Sequence, residues 1–412
     1  MHKVINKFIK IVDIVNYWAI ILLPFSIAIA PAPMSVFMGF IIFTYLVKLI
    51  LNKPAIFSYK QFVLPLACLF SITCVSLVNS IDLSGSIRGG VLRLIMYIVV
   101  FFAVADGVKQ KEHLKKIAIS MIAGLLLVSF DGFWQVFSGV DFIHGYEAIN
   151  NIGLVRATAS FKDANLLGIY LSGFAPLCFG LSLYYFKGKW KISLNIISLL
   201  VLAAVALTYS RPTLLAVYLV LVFLVYVKKD KLKLIFLIGL LLISPFLLPK
   251  SIKEYARDVR YDPILFMCNA DRVAVYRNTA RMIKAHPFIG VGANASMKTY
   301  RYYKEKPEFM NVVTLDEMKA HNNFLQMAAE IGLIGLGIFL WFLYRLFKQG
   351  YRIYKATGNK YLKIVSLSLV ACLIAFLVNG LTESSLFYSR VALVFWYLSG
   401  LLVALKNISY EN

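Results

Sequence analysis

KSIKEYARDVRYDP, residues 250–263, opens the one long polar segment of this chain, and AHNNF, residues 320–324, closes it. Between them lie a basic run from Asp271 to His286 and the turn Pro-Phe-Ile-Gly-Val-Gly, residues 287–292. On both sides the sequence is a succession of apolar runs joined by short basic junctions. Apolar runs of roughly 18 or more residues read as helices that cross a bilayer. The chain has 412 residues, 60% of them hydrophobic, and a mean hydropathy of +0.76. It therefore reads as an all-α polytopic membrane protein, and a polar insert ending in a histidine at a helix start is where chemistry belongs.

The apolar runs predict twelve helices, at 13–30, 34–51, 61–79, 89–105, 115–137, 164–186, 192–208, 213–227, 232–249, 323–345, 361–381 and 388–405. Residues 1–249 then carry nine helices, 250–322 an outer loop with short helices and part of the active site, and 323–412 three more helices. Ala28-Ile29-Ala30 looks like a cleavage site, but Pro31 follows directly and the apolar run is long, so a retained helix is expected.

The formal charge of +23 does not call for nucleic acid, which needs a basic face on a soluble domain. The charge instead alternates. With the N-terminus inside, the inner junctions hold Lys3, Lys7 and Lys10, then Lys48, Lys53 and Lys60, then Lys109, Lys111, Lys115 and Lys116. They continue with Lys187, Lys189 and Lys191, with Lys228, Lys229, Lys231 and Lys233, with the cluster Arg345 to Lys363, and with Lys406. Junctions such as 31–33 and 80–86 have no lysine. Positive residues favour the cytoplasmic side, so both termini are expected in the cytoplasm and the 250–322 loop outside. Five scattered cysteines form no C-x-x-C pattern, and Cys268 is alone in the loop, so neither a metal site nor an intraloop disulfide is expected.

The outer side is rich in arginine: Arg88, Arg156, Arg211, Arg257, Arg260, Arg272, Arg277, Arg281, Arg301 and Arg390. Lysine suffices as a topology charge, whereas the arginine fork suits carboxylates and phosphates. An anionic ligand explains the bias economically; lipid headgroups or loop carboxylates are the alternative partners. Arg156, Arg277, Arg281, Arg301, Arg390 and Asn322 are the expected substrate contacts. Arg211 sits at the membrane rim before Pro212 and reads either as a phosphate clamp or as a snorkelling interfacial residue.

Asp271–Lys284 reads as a helix capped by Asn269 or Asp271. Arg277, Arg281 and Lys284 form a solvated stripe on it, and Arg272 lies on the packed side with Tyr276, Ala280 and Ile283. His286-Pro-Phe-Ile-Gly-Val-Gly292 reads as architecture rather than as a phosphate loop. His321 begins a helix with Asn322 or Asn323 as N-cap. The positive helix end helps keep this histidine neutral and usable as a base, and a hydrogen-bonded interfacial histidine is the alternative. Glu330 falls inside the following membrane segment and must be paired or neutral, while Glu383 lies on the outer side with no role assigned. No D-x-D, Walker A or H-E-x-x-H pattern is present.

Four motifs in order carry a resemblance: Thr208-Tyr-Ser-Arg-Pro-Thr213, Asp271-Arg-x-x-x-Tyr276, His286-Pro-x-x-Gly-x-Gly292, and His321-Asn-x-Phe-Leu-Gln-x-x-x-Glu-x-Gly-x-x-Gly335. Together they resemble the O-antigen ligase superfamily over about residues 150 to 400. Arg156-Ala-Thr-Ala-Ser-Phe-Lys-Asp-Ala-Asn165 is similar to the family's R-x-x-G-x-F-x-x-P-N stretch with Ala for Gly and Pro, and Tyr276 stands where the family has Trp. The resemblance implies a metal-independent inverting glycosyltransferase of the bacterial inner membrane, without cofactor, its active site facing the periplasm. Its donor would be a glycan on undecaprenyl diphosphate and its acceptor lipid A–core. Arg211 and Arg272 would hold the diphosphate, and His321 would be the catalytic histidine. The alternatives are an O-antigen or capsule polymerase, a protein O-oligosaccharyltransferase, and a transporter of lipid-linked sugar. Internal repeats and broken helices would favour the transporter, and the sequence shows neither.

Overall fold

The computed structural model describes residues 2–52, 59–151 and 154–410. All twelve expected segments are helical: His2–Ile29, Pro31–Asn52, Lys60–Val75, Leu83–Gly107, Lys111–Ser138, Ala164–Tyr184, Gly188–Leu207, Arg211–Val227, Lys231–Leu247, Asn323–Ala356, Lys360–Asn379 and Ser389–Tyr410. Among the described residues, ten are long and apolar enough to cross a membrane. Arg211–Val227 and Lys231–Leu247 have 17 residues each, about 26 Å of helix against a hydrocarbon core of about 30 Å. The count of twelve crossings hinges on these two. The protein is a multi-pass, all-α membrane protein. Its β-structure among the described residues is an antiparallel pair, Ile149–Asn151 with Leu154–Arg156, which sets Ile149 opposite Arg156, and an isolated bridge between Val140 and Glu147.

Ala164–Tyr184, Lys360–Asn379 and Ser389–Tyr410 form the centre, while Pro31–Asn52, Gly188–Leu207 and Lys231–Leu247 turn exposed apolar side chains such as Phe43, Ile196 and Phe236 outward. Small residues let the central helices approach. A Cβ added at Gly180 would lie 1.9 Å from Ser368 Oγ, and one at Gly168 2.5 Å from Thr213 Oγ1. Close packing and buried hydrogen bonds replace the hydrophobic drive that lipid does not supply. Thr213 donates to Asn379 Oδ1 (2.8 Å) and Asn379 Nδ2 donates to Ser172 Oγ (3.0 Å), pinning three helices just below Arg211.

The polar segment folds as two helices, Lys250–Asp258 and Pro263–Ala285, followed by short helical turns at Ser296–Thr299, Tyr300–Tyr303 and Phe309–Asn311. Pro263–Ala285 breaks at Asn269 (φ 56°, ψ 167°), whose Oδ1 accepts the Arg272 N–H at 3.1 Å. Asn269 therefore caps the half that carries Arg272, as one of the two expected caps. The deepest side of that half is Val275, Asn278, Thr279 and Met282, rather than the side bearing Arg272 and Tyr276. Those two are half-buried because they face the site.

Although the sequence shows no broken helix, Asn323–Ala356 is broken at Gly332 (φ 76°, ψ 175°). The 287–292 turn fills the break. The Val291 and Gly292 N–H groups donate to the Ala329 and Glu330 carbonyls (2.8 and 3.0 Å), and the Leu333 N–H donates to the Pro287 carbonyl (2.7 Å). Backbone groups freed by the break are thus satisfied by loop backbone, as they must be at membrane depth. The buried Glu330 carboxylate accepts from Asn294 N–H (2.7 Å), Ser296 O–H (2.7 Å) and Gln326 Nε2 (3.1 Å), which ties the next part of the loop to the same helix.

Candidate active site

Three arginines converge where the 208–213 turn meets the kinked loop helix. Tyr209 takes a left-handed conformation (φ 47°), so the chain reverses at once and Arg211 and Pro212 begin the next helix. Arg156 is lashed to that turn: its Nε donates to the Thr208 carbonyl at 2.8 Å and an Nη to Asn165 Oδ1 at 3.1 Å. Arg156 and Asn165, the ends of one sequence motif, thus meet directly. Arg272 comes from the first turn of the capped half-helix. Arg156, Arg211, Arg272, Asn165, Tyr209 and Asn269 are among the residues lining a cavity of about 430 Å³. A neighbouring hollow of about 460 Å³ shares Arg156, Tyr209 and Arg211 with it and adds Ile252 and Tyr255.

This cavity favours anions. Burial lowers the proton affinity of Arg156; Asp163 opposes that, and the nearby charges of Arg272 and Arg211 lower it further. Arg211 has no ion-pair partner among the described residues and lies over the rings of Tyr255 (4.8 Å) and Phe266 (5.2 Å). Stacking fixes its plane while its N–H edges stay available. Arg211 and Arg272 both sit in first turns, so two positive helix ends add to the guanidinium charges.

Beside this cavity, Glu383 bridges two candidate residues. Its Oε1 lies 2.9 Å from His321 Nδ1 and its Oε2 3.1 Å from an Arg272 Nη. Burial pushes the Glu383 carboxyl up, but the hydrogen bond and charge of His321, the charge of Arg272 and the Ser384 N–H outweigh it and hold the group below its ordinary value. Glu383 is therefore a carboxylate. With Nδ1–H donated to it, His321 presents Nε2 as its acceptor nitrogen. The backbone supports this placement. His321 is itself left-handed (φ 46°), and Asn322 is the N-cap, accepting from the Phe324 and Leu325 N–H groups at 2.9 and 3.0 Å. The Tyr276 hydroxyl lies between the carbonyls of His321 (3.1 Å) and Leu381 (3.3 Å). Asn323 N–H donates to Gly380 O (2.7 Å), and Asn322 Nδ2 to Leu381 O (2.8 Å). Loop, helix start and the 380–386 turn are one clamped unit.

The other expected contacts do not join this cavity. Arg277 stacks on Phe309 (4.1 Å), Arg281 pairs with Glu305 (3.6 Å) and Arg301 binds the Tyr302 hydroxyl (3.1 Å), all exposed on the loop surface. Arg390, expected to touch substrate, is instead buried. It donates to the carbonyls of Ile27 (2.7 Å), Ser160 (2.6 Å) and Ala28 (2.8 Å) and stacks 3.6 Å from the Phe161 ring. Its hydrogen-bonding capacity serves the fold, fixing the segment between Arg156 and Asn165. Asn322 is at the site, with its side chain engaged as the cap. Glu383 is the member of the site to which sequence reasoning gave no role. No cluster of three or more His, Cys, Asp or Glu able to hold a metal occurs among the described residues.

Residues 196–340 match the O-antigen ligase family model. The O-antigen ligase resemblance read from the motifs is thereby borne out. The matched segment contains Arg211, Arg272 and His321, whereas Arg156, Glu383 and Arg390 lie outside it. No curated protein matches the chain. The O-antigen ligase family implies an enzyme of ligase or polymerase type that acts on lipid-linked glycans at a membrane.

Proposed function

We propose that the protein is a metal-independent, inverting glycosyltransferase of the bacterial inner membrane. It moves a glycan from undecaprenyl diphosphate to the sugar of lipid A–core on the periplasmic face. The observation that carries the reading is Glu383, which joins His321 to Arg272 at the edge of an arginine-lined cavity. The donor diphosphate occupies the cavity between Arg156, Arg211 and Arg272. An acceptor hydroxyl approaches the anomeric carbon from the side opposite the diphosphate and gives its proton to His321 Nε2. Its oxygen forms the new glycosidic bond as the bond from the anomeric carbon to the diphosphate oxygen breaks. The bonding pair leaves with the diphosphate, whose growing charge the arginines stabilise. Glu383 stabilises the imidazolium that forms, as an oriented carboxylate does for a histidine base. Both Glu383 oxygens are engaged and the residue is buried. It is thus held back from attacking the sugar, which favours one displacement with inversion.

The break at Gly332 offers little to a transporter reading, because loop backbone fills it. The discriminating experiment is deletion in the native host followed by gel analysis of lipopolysaccharide. Loss of all capped core is the expected result. Capping with single repeats only would assign a polymerase, and unchanged lipopolysaccharide would move the acceptor to protein or elsewhere.

A further inference from the structure

A cavity separate from the candidate active site opens at the other end of the bundle. It has about 700 Å³ of empty space, and the ends of four membrane helices line it. Asn16 and Tyr17 come from His2–Ile29, Lys48 from Pro31–Asn52, Gly107 from Leu83–Gly107 and His113 from Lys111–Ser138. Lys109, in the junction between the last two helices, lines it as well. Leu83–Gly107 also measures its separation from the candidate site. Gly89 and Gly90 of that helix lie so close to Asn294 and Ala293 of the polar loop that added Cβ atoms would clash at 2.4 and 2.6 Å. Gly107 is about 26 Å further along, at roughly 1.5 Å per residue. The cavity is therefore on the lysine-rich side of the bundle, the side for which the charge pattern predicts the cytoplasm.

The packing around it is specific. A Cβ at Gly107 would lie 2.5 Å from Ile20 Cδ1 and 3.1 Å from Asn16 Nδ2, so the glycine lets this helix end close on the first helix. The first two helices are joined twice, by Thr44 Oγ1 to Asn16 Oδ1 (3.0 Å) and by Lys48 Nζ to Asp13 Oδ1 (2.7 Å). The rings of His113 and Tyr17 meet edge-on at 4.8 Å, and Lys116 lies over the rings of Tyr17 and Trp18 at 5.4 and 5.6 Å.

Two donors are left over. The Lys109 ammonium makes no ion pair or hydrogen bond among the described residues, and neither does Nδ2 of Asn16, a side chain only 2% exposed. Among the lining residues Asp13 is the carboxylate, and Lys48 already answers it, so a cationic headgroup would find no free acid here. Ile11, Ile14 and Trp18 of the same helix are exposed apolar side chains, and Ile14 lines the cavity too, so its mouth faces lipid. Tryptophan and tyrosine belong at the headgroup level of a bilayer, and basic pockets between membrane helices on the cytoplasmic side hold anionic headgroups.

We infer that this cavity binds an anionic glycerophospholipid, its phosphate diester against Lys109 and Asn16 Nδ2 and its acyl chains along the exposed face of His2–Ile29. Lys48 and Lys116 add positive potential from either side. The bound lipid ties together four helix ends that side chains alone leave open. This site is independent of the glycan-transfer reaction and of the arginine-lined cavity, and it stands whichever acceptor the protein uses.

The test uses the full-length protein in nanodiscs of phosphatidylcholine doped with a phosphatidylglycerol whose headgroup carries a photoreactive group. Peptide mass spectrometry then maps the adducts. They are expected within residues 10–18 and 105–116, reduced about 10-fold in Lys109→Gln and retained in Lys109→Arg. Lys109 lies between helices, so neither variant disturbs a membrane segment. Unlabelled phosphatidylglycerol should compete and phosphatidylethanolamine should not. Arg211→Gln should leave the labelling unchanged. Label that is absent from those segments, undiminished in Lys109→Gln, or competed equally by phosphatidylethanolamine overturns the inference. Competition by millimolar inorganic phosphate would assign the cavity to the free ion and overturn the lipid. Loss of the label in Arg211→Gln would tie it to the other cavity and overturn the inference as well.

Discussion

Glu383 spends one oxygen on His321 and the other on Arg272, so removing its charge affects a base and an anion clamp together. Glu383→Gln and His321→Ala are each expected to lower the transfer rate roughly 100- to 10,000-fold while lipid-linked donor still binds. The double variant should be little worse than the worse single one, because groups acting as a unit are not additive; fully multiplicative losses in single-turnover assays would separate the two roles. The carboxyl of Glu383 also makes stability depend on pH. Its folded value lies below the ordinary one of about 4.3. Its contribution is therefore complete above about pH 4.3 and disappears as pH falls through the lower folded value. Acid unfolding followed by circular dichroism should be shallower in that window for Glu383→Gln. Arg211→Lys and Arg272→Lys keep the charge but lose the fork, and a drop of about 10- to 100-fold in kcat/KM is expected; full activity would reduce both to topology charges. The sequence singles out Arg211, Arg272 and His321 because each lies in a short motif, and the structure places Arg211 and Arg272 on one cavity with His321 joined to Arg272 through Glu383. It does not single out Glu383, since 62 positions separate that residue from His321 and no periodicity links them. Nothing local in the sequence shows that three carbonyls from distant segments surround Arg390.

Helix ends follow capping signals rather than the end of hydrophobicity, which is why several expected boundaries fell short. Asn323–Ala356 runs past the apolar stretch through Arg345, Lys348 and Arg352 and stops only before Thr357-Gly358. His2–Ile29 likewise begins well before its apolar run. The break at Gly332 escaped notice because an isolated glycine in a membrane helix is common, and only the docked 287–292 turn reveals its purpose. Gly332→Ala is expected to be among the more damaging single substitutions. A left-handed residue costs about 1–3 kcal/mol, and the added Cβ would lie 2.0 Å from the Phe288 carbonyl oxygen. A drop in Tm by differential scanning fluorimetry, with activity lost in proportion to folded protein, is the expected outcome. An unchanged Tm would mean that the break is not held by the turn.

At the scale of the molecule, the apolar runs are what marked twelve helical segments, each of which is helical in the structure, and the alternation of lysine-rich and lysine-poor junctions adds an expected side for each junction. Sidedness can be measured. After replacement of the five native cysteines, new cysteines at 255–315 should react with an impermeant reagent from the periplasm, and those at 228–233 and 348–360 should not. The opposite pattern would put the site on the wrong side for a periplasmic acceptor. What the pattern of apolar runs did not convey is how the pieces depend on one another. The 287–292 turn completes a helix it does not belong to, and Glu330 of that helix organises the residues that follow the turn. Neither part is a finished element without the other. The stretch from the turn through residue 333 is consequently a single unit of inheritance. Chimeras that exchange acceptor specificity between relatives should work when the crossover points fall outside 287–333. They should fail when the loop is transplanted onto a foreign helix, however well the motifs on each side align.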